Sequence, residues 1–306
     1  MPESRAEFEK IEPYLDELIS RHPGIGIGGL LGSSISYSLS PVLHNFSAQL
    51  LGLKFQYQLF DFSSACDDQD LSALLAWLWS HGSSGINITQ PFKKRMAISV
   101  PSKGVQGKPL SSINTVFRGP ESFLGTSTDG QGFVASLAHI HCPIDQIARL
   151  VIIGSGGAAV AMCEHLDAIG FLGKLVIFSR QGQSIPIQQA NGAVVSIPAS
   201  QLSTASLKAA LDPLGKNDLL IQASSAPHRG DDLSHLTGAL KNFEGCFVDL
   251  CYGKTSALLA ACMAKGLRAS DGIGMLIEQA RASQLLWWGK AAPYLEIQRH
   301  LAGLTY

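Results

Sequence analysis

A chain of 306 residues, 46% hydrophobic and 15% charged, is long enough for two domains with cores of their own and too apolar to be disordered. Its net charge of -1 leaves no electrostatic footprint for nucleic acid or an acidic membrane surface. No stretch approaches the roughly 20 uninterrupted apolar residues that a membrane span requires.

The first twenty residues place Phe8, Ile11, Leu15 and Leu18 at helical spacing among charges, which predicts an amphipathic helix and not a signal peptide with an apolar centre. From Ile25 short apolar runs alternate with helical segments. IGIGGLL reads as a strand, and PVLHNFSAQLLGL as a helix with Val42, Leu43, Phe46, Leu50 and Leu53 on one face and Pro41 in its first turn. FQYQLFDF reads as a second strand, LSALLAWLWSHG as a helix closed by Gly82, and GINIT as a third strand. Such alternation predicts a mostly parallel sheet covered by helices.

A second series starts at Leu150: strand LVIIG, a glycine turn, helix AAVAMCEHLDAIG, strand KLVIFSR, a Gln/Ser/Pro-rich passage, strand AVVSI, a helix, then strands DLLIQAS and CFVDL. That is the profile of a doubly wound nucleotide-binding domain. Residues 129–141 read as the helix joining the two series. A last helix, GMLIEQARASQLLWWG, carries Met275, Leu276, Gln279, Leu286 and Trp287 and is expected to pack back on the first domain. The six cysteines form no CxxC pair and most lie in apolar runs, which fits buried, reduced thiols in a cytosolic protein better than disulfides or a metal site.

Gly154-Ser155-Gly156-Gly157-Ala158-Ala159 follows an apolar strand and opens a helix, the context that a G-x-G-x-x-A dinucleotide fingerprint needs. Glycines there let the backbone turn tightly and approach a pyrophosphate, which the helix N-terminus favours. The next strand ends Phe178-Ser179-Arg180-Gln181, without the acid that would hold a free ribose 2′-hydroxyl. Arg180 therefore suits a 2′-phosphate and NADP, although one arginine also reads as a solvated charge.

Ser36 to Pro41 offers hydroxyls and helix N–H groups that suit a carboxylate, and equally a helix cap. Asn87-Ile-Thr89-Gln-Pro91-Phe-Lys93-Lys94 ends the third strand, on the edge where α/β sheets bind ligands. A lysine there can hand a proton to a carbonyl oxygen that is being reduced, whereas exposure to solvent is the commoner fate of lysine. Ser111 to Thr115 and Thr126 to Gly130 add Asn114 and Asp129, in runs that are also ordinary turn signals.

These pieces, in this order, resemble the shikimate dehydrogenase family over nearly all of residues 25–290. The resemblance implies a two-domain α/β fold with an interdomain cleft: an N-terminal helix over 1–23, a substrate domain of 24–131 plus 272–306 with a mostly parallel sheet, and a Rossmann-type NADP-binding domain of 132–271. It implies that Ser38 and Ser40 hold a substrate carboxylate, that Thr89, Asn114 and Gln279 contact ring hydroxyls, that Tyr252 stands near the substrate, and that Lys93 with Asp129 forms the catalytic pair. On the cofactor side it points to Gly154, Ser155, Gly156, Gly157, Ala158, Ser179, Arg180, Ser224 and Gly274.

The implied reaction is the reversible, NADP-dependent reduction of 3-dehydroshikimate to shikimate. A quinate/shikimate dehydrogenase that also uses NAD and a non-catalytic, regulatory ligand-binding relative are the alternatives. A cytoplasmic monomer or homodimer without metal is expected. The departures lie on the cofactor side: Ser184 stands where a second base is usual, and the Asn-Ala-Thr loop appears as Gln222-Ala-Ser224-Ser225.

Overall fold

The computed structural model describes residues 7–102, 110–188, 194–212 and 215–304. The first six residues of the expected amphipathic helix and Ala193 of the expected AVVSI strand lie outside the described residues. The chain divides into two compact units, one holding the residues up to Thr128 together with those from Ala280, the other Asp129–Gln279.

The first unit contains α1 (Glu7–Arg21), β1 (Gly26–Gly32), α2 (Ser40–Leu50), β2 (Phe55–Asp61), α3 (Asp68–Ser80), β3 (Gly85–Ile88), α4 (Lys93–Ser99), β4 (Thr115–Arg118) and β5 (Phe123–Thr126). Its sheet runs β2-β1-β3-β4-β5. β1 pairs parallel with β2 and β3, and the hairpin β4–β5 is added antiparallel at the edge of β3. Residues that the sequence presents as turn signals are thus the ends of hairpin strands.

β1 is glycine-rich because aromatic rings lie across it. A Cβ on Gly28 would stand 2.5 Å from the Phe55 ring, and one on Gly29 the same distance from the Phe60 ring. Phe8 and Leu15 of α1 are buried in the same core as Leu71, Leu74 and Leu78 of α3. The two helices are also joined by Phe8 N–H to Asp70 Oδ1 (2.9 Å) and by Trp77 Nε1–H to Asp16 Oδ1 (2.8 Å). Asp67 caps α3 by accepting from the N–H groups of Gln69 and Asp70.

The second unit contains α5 (Asp129–Leu137), β6 (Arg149–Ile153), α6 (Gly157–Ala168), β7 (Lys174–Ser179), β8 (Ile185–Gln188), β9 (Val194–Ile197), β10 (Ala199–Gln201), α7 (Thr204–Leu211), β11 (Asp218–Gln222), β12 (Cys246–Asp249), α8 (Ala257–Ala264) and β13 (Ala269–Ser270). Here β10-β7-β6-β11-β12-β13 form one sheet, parallel throughout. Both faces are buried: Leu150 and Ile152 of β6 enter one core, Val151 and Ile153 the other, which is why the strand reads as an unbroken apolar run. From this unit α9 (Ile273–Trp288) continues into the first, followed by α10 (Tyr294–Ala302).

Three local expectations change. AVVSI does not join the large sheet: β9 pairs antiparallel with β8 in a separate two-stranded sheet, and β10 takes the place beside β7. Its alternating burial, with Val194 71% exposed, suits a surface hairpin and not a strand covered on both faces. On α9, Trp287 is buried and donates from Nε1 to the Val116 carbonyl (2.9 Å), whereas Leu286 is exposed.

On α2 the buried face is Ser40, Leu43, His44, Ser47 and Ala48. Leu50 is 45% exposed, and Phe46 stacks on His300 of α10 with ring centroids 3.8 Å apart. Serine and alanine on the inner face admit the His44 ring, which is fully buried and stacks on Tyr57 (4.4 Å, 11°) beside Trp287. Burial pushes the His44 imidazole down to about 3.

A folded-state value below the unfolded value of about 6.5 means that the neutral ring favours folding above that pH and that stability is lost as pH falls towards 3. Each pH unit in that window should cost about 1.4 kcal/mol through His44. In urea denaturation, His44→Phe should flatten the loss of stability between pH 6 and 4, relative to the unsubstituted protein. Parallel curves would refute the burial of a neutral ring at this position.

Candidate active site

In open α/β sheets the loops that hold ligands lie beyond the carboxyl ends of the strands where the winding reverses. In the first unit the chain runs from β1 to β2 on one side and then to β3 on the other, so the reversal falls between β1 and β3. Four of the expected substrate residues gather at that edge. Thr89 N–H donates to Leu31 O (2.8 Å) and Ser33 N–H to Gln90 O (3.2 Å), which ties together the segments after β1 and β3. Asp61, at the end of β2, accepts from the N–H groups of Ser34 (2.7 Å) and Ile35 (3.2 Å) and holds the loop that leads to Ser38.

The helix-cap alternative for Ser38 and Ser40 takes a modified form. The cap position of α2 belongs to Leu39, which offers no side-chain cap, and Ser38 Oγ accepts from Ser40 N–H at 3.2 Å. Ser38 is half-buried, while Ser40 is only 7% exposed and its hydroxyl meets the Tyr57 phenol.

Beneath the edge lies a hub centred on Asn87, to which the sequence assigned no role. Asn87, within β3, accepts from Tyr57 OH at Oδ1 (2.8 Å) and donates from Nδ2 to Asn114 O (3.2 Å), Thr115 Oγ1 (3.1 Å) and Ser283 Oγ (3.0 Å). Asn114 is 3% exposed and its amide is engaged with Thr128: Oδ1 accepts from Thr128 N–H (2.7 Å) and Nδ2 donates to Thr128 Oγ1 (3.0 Å). Thr128 directly precedes Asp129, which is 8% exposed and opens α5. A signal for Asn87 exists in the sequence, since it is the one polar residue among GINI; Tyr57, Thr115, Thr128 and Ser283 carry none.

Lys93 is half-buried and Lys94 exposed. α4 is too short to be stable alone, and it is held by the fully buried Phe92 and Met96, by Ile113 N–H donating to Lys93 O (3.1 Å), and by Arg95, which donates to Asp68 Oδ1 (2.6 Å from one terminal nitrogen) and to Cys66 O (2.9 Å).

In the second unit the winding reverses between β6 and β11. Gly154, after β6, has φ +125, and a Cβ there would lie 2.8 Å from the Ala223 carbonyl carbon and 2.9 Å from Ser224 N. Only glycine suits this position. Gly156 caps α6 without a side chain, a Cβ on it would meet nothing within 4 Å, and Gly157 and Ala158 form the first turn. The uncovered N–H groups of that turn fit a pyrophosphate, so these residues fit a dinucleotide. Ser155 is exposed.

Ser179 is buried at the end of β7, and Arg180 and Ser184 beyond it are exposed. Ser224 lies on the segment facing Gly154. Tyr252 and Gly274 are half-buried. Gln279 donates from Nε2 to Leu276 O (3.0 Å) of its own helix, and its backbone lies so close to α5 that a Cβ on Gly132 would stand 2.5 Å from Gln279 N. Among the described residues no group of three or more His, Cys, Asp or Glu side chains is placed to hold a metal.

The family model described as the shikimate dehydrogenase substrate binding domain matches residues 30–116. The shikimate dehydrogenase (NADP(+)) of Bacillus subtilis strain 168 is 31% identical over 279 residues, which span 89% of this chain and 95% of the relative. The chain belongs to the shikimate dehydrogenase family. The shikimate dehydrogenase (NADP(+)) of Thermosynechococcus vestitus is 29% identical over 273 residues, 87% of this chain and 91% of its own.

Among solved structures, the shikimate 5-dehydrogenase of Listeria monocytogenes, described in complex with shikimate and NAD, aligns with a TM-score of 0.72 at 22% identity, over 91% of this chain and 97% of that one. The 5-ketofructose reductase of a Gluconobacter species aligns with a TM-score of 0.69 at 20% identity, over 92% and 99%. The two-domain fold thus serves more than one substrate, and it is the sequence relation that decides the family.

The two glycines of the fingerprint should respond differently to a methyl group. Gly154→Ala should lower the stability measured by thermal melting by about 1–3 kcal/mol, because it combines a glycine-only φ with a backbone clash. Gly156→Ala, facing open space at φ -80, should cost less, about 0.5–1 kcal/mol, the difference between glycine and alanine at a helix N-cap. Equal losses would refute the close approach of Gly154 to Ser224.

Proposed function

We propose that the protein catalyses the reversible, NADP-dependent reduction of 3-dehydroshikimate to shikimate. The observation that carries this reading is the convergence of the loops bearing Ser38, Ser40, Thr89, Lys93 and Asn114 on the carboxyl edge of β1 and β3, in a chain related along most of its length to NADP-dependent shikimate dehydrogenases. In this reading the first unit binds the substrate and the second the dinucleotide. Ser38 and Ser40 hold the carboxylate, Thr89, Asn114 and Gln279 contact the ring hydroxyls, and Tyr252 stands near the substrate.

When bound, NADPH supplies the hydride that reaches the carbonyl carbon. The Lys93 ammonium gives its proton to the carbonyl oxygen as negative charge develops there, and in the reverse direction the neutral amine takes that proton back. Asp129 is assigned as the partner that orients the lysine. The half-buried position of Lys93 supports this assignment over Lys94, since a shielded cation acts more strongly on a developing alkoxide than a solvated one. Retention of Lys93 and Asp129 argues against a regulatory relative that only binds ligand.

A second reading, a quinate/shikimate dehydrogenase that accepts NAD as well, is favoured by one observation. Arg180 is exposed, and the residue that would add a second base, Ser184, is an exposed hydroxyl. A cytoplasmic location belongs to the same proposal, supported by six buried free cysteines and by the absence, among the described residues, of any helix long and apolar enough to cross a membrane.

Absorbance of reduced nicotinamide should rise with shikimate and NADP, and more slowly with NAD. Turnover with quinate and NAD as the faster combination would move the assignment to the second reading. Lys93→Ala should lower kcat by about 10²- to 10⁴-fold while shikimate affinity changes far less. An unchanged kcat would remove Lys93 from the proton-transfer role.

A further inference from the structure

The strands that flank the reversal in the second unit end at Ile153 and Gln222, and the Gln222 side chain is fully buried. It folds back on its own chain, with Oε1 accepting from Ser224 N–H at 2.6 Å and Nε2 donating to Ser224 O at 2.9 Å. One amide thereby holds both polar backbone groups of one residue. Behind it Nε2 also faces Asp249 Oδ1 (3.4 Å) and Cys251 Sγ (3.7 Å), the Cys251 thiol donates to Ser224 O (3.6 Å), and Asp249 accepts from Cys251 N–H (2.9 Å) and from the Ser256 hydroxyl.

The clamped segment, Ala223 to Ser224, is the wall on which Gly154 closes. It lies at the carboxyl end of the strand across the reversal, where α/β sheets admit a dinucleotide. A carboxylate in place of the amide would keep the acceptor, lose the donor and stand beside Asp249. A side chain one methylene shorter would not span both groups of Ser224.

We propose that Gln222 is a positioning residue for the dinucleotide: by clamping Ser224 it sets the backbone that faces Gly154, and so the width of the entrance the nucleotide must fit. This rests on the reading of the second unit as the NADP-binding one. Gln222 touches no substrate atom in this scheme; it acts through Ser224.

The test is equilibrium binding of NADPH, followed by its own fluorescence without turnover, for the unsubstituted protein and for Gln222→Met, Gln222→Glu, Gln222→Asn and Cys251→Ala. Gln222→Met keeps the volume and loses both hydrogen bonds, so Kd for NADPH should rise about tenfold. Gln222→Glu should be weakened more and Gln222→Asn less. Cys251→Ala keeps both bonds of the Gln222 amide to Ser224 and loses only the weaker thiol contact to Ser224 O, so it should stay within about twofold, as should KM for shikimate in every variant.

A melting temperature lowered in Gln222→Met with NADPH affinity unchanged would make the residue a fold element only and overturn the proposal. Should Gln222→Met fail to fold, the order of Gln222→Asn against Cys251→Ala decides in the same way. Failure of the unsubstituted protein to bind NADPH would instead refute the reading of the unit itself.

Discussion

The first unit depends on one buried amide. A primary amide removed from water must find partners for two N–H bonds and a carbonyl, and a missing partner costs about 1–3 kcal/mol. Asn87 meets that demand with groups from β2, from the start of β4 and from α9. Satisfying one side chain therefore fixes the mutual position of the elements that carry Thr89 and Asn114. Through Asn114 and Thr128 the same chain of hydrogen bonds reaches the residue before Asp129. The edge is thus built on polar groups that are already committed to one another, which limits how far its loops can drift.

The second unit meets a different constraint, that of close backbone approach. Gly154 and Ala223 to Ser224 come too near for any side chain between them, and the free N–H groups of α6 lie beyond that contact. The apolar strands supply the rigidity behind it, since Leu150 to Ile153 are buried on both faces of an all-parallel sheet. Polar satisfaction organises one unit and glycine geometry the other.

Much of this was legible in the chain. The order of apolar runs gave β1, β2, α3, β3, β6, α6, β7, β11 and β12, the helices by length and the strands as short runs bounded by turn residues, since strands such as β6 and β11 are buried on both faces and show no alternation. The fingerprint from Gly154 to Ala158 was legible because a special backbone geometry demands a special residue. Less legible were the hairpin β4–β5, whose ends read as turns, and the face of α2, where His44, Ser47 and Ala48 point inward and Leu50 outward. Hydropathy alone cannot orient such a helix, since close packing on a strand favours small residues over greasy ones.

Alone, the sequence determined the two α/β series, the position of the dinucleotide turn and the residue types able to bind a carboxylate or move a proton, because these follow from local periodicity and from chemistry carried by single side chains. Only the tertiary structure decided that Lys93 is half-buried and Lys94 exposed, that the Asn114 amide bonds Thr128, that AVVSI leaves the large sheet, and that Gln222 clamps Ser224. Each of these depends on groups distant in the chain competing for the same hydrogen bonds and the same space, which no local pattern records.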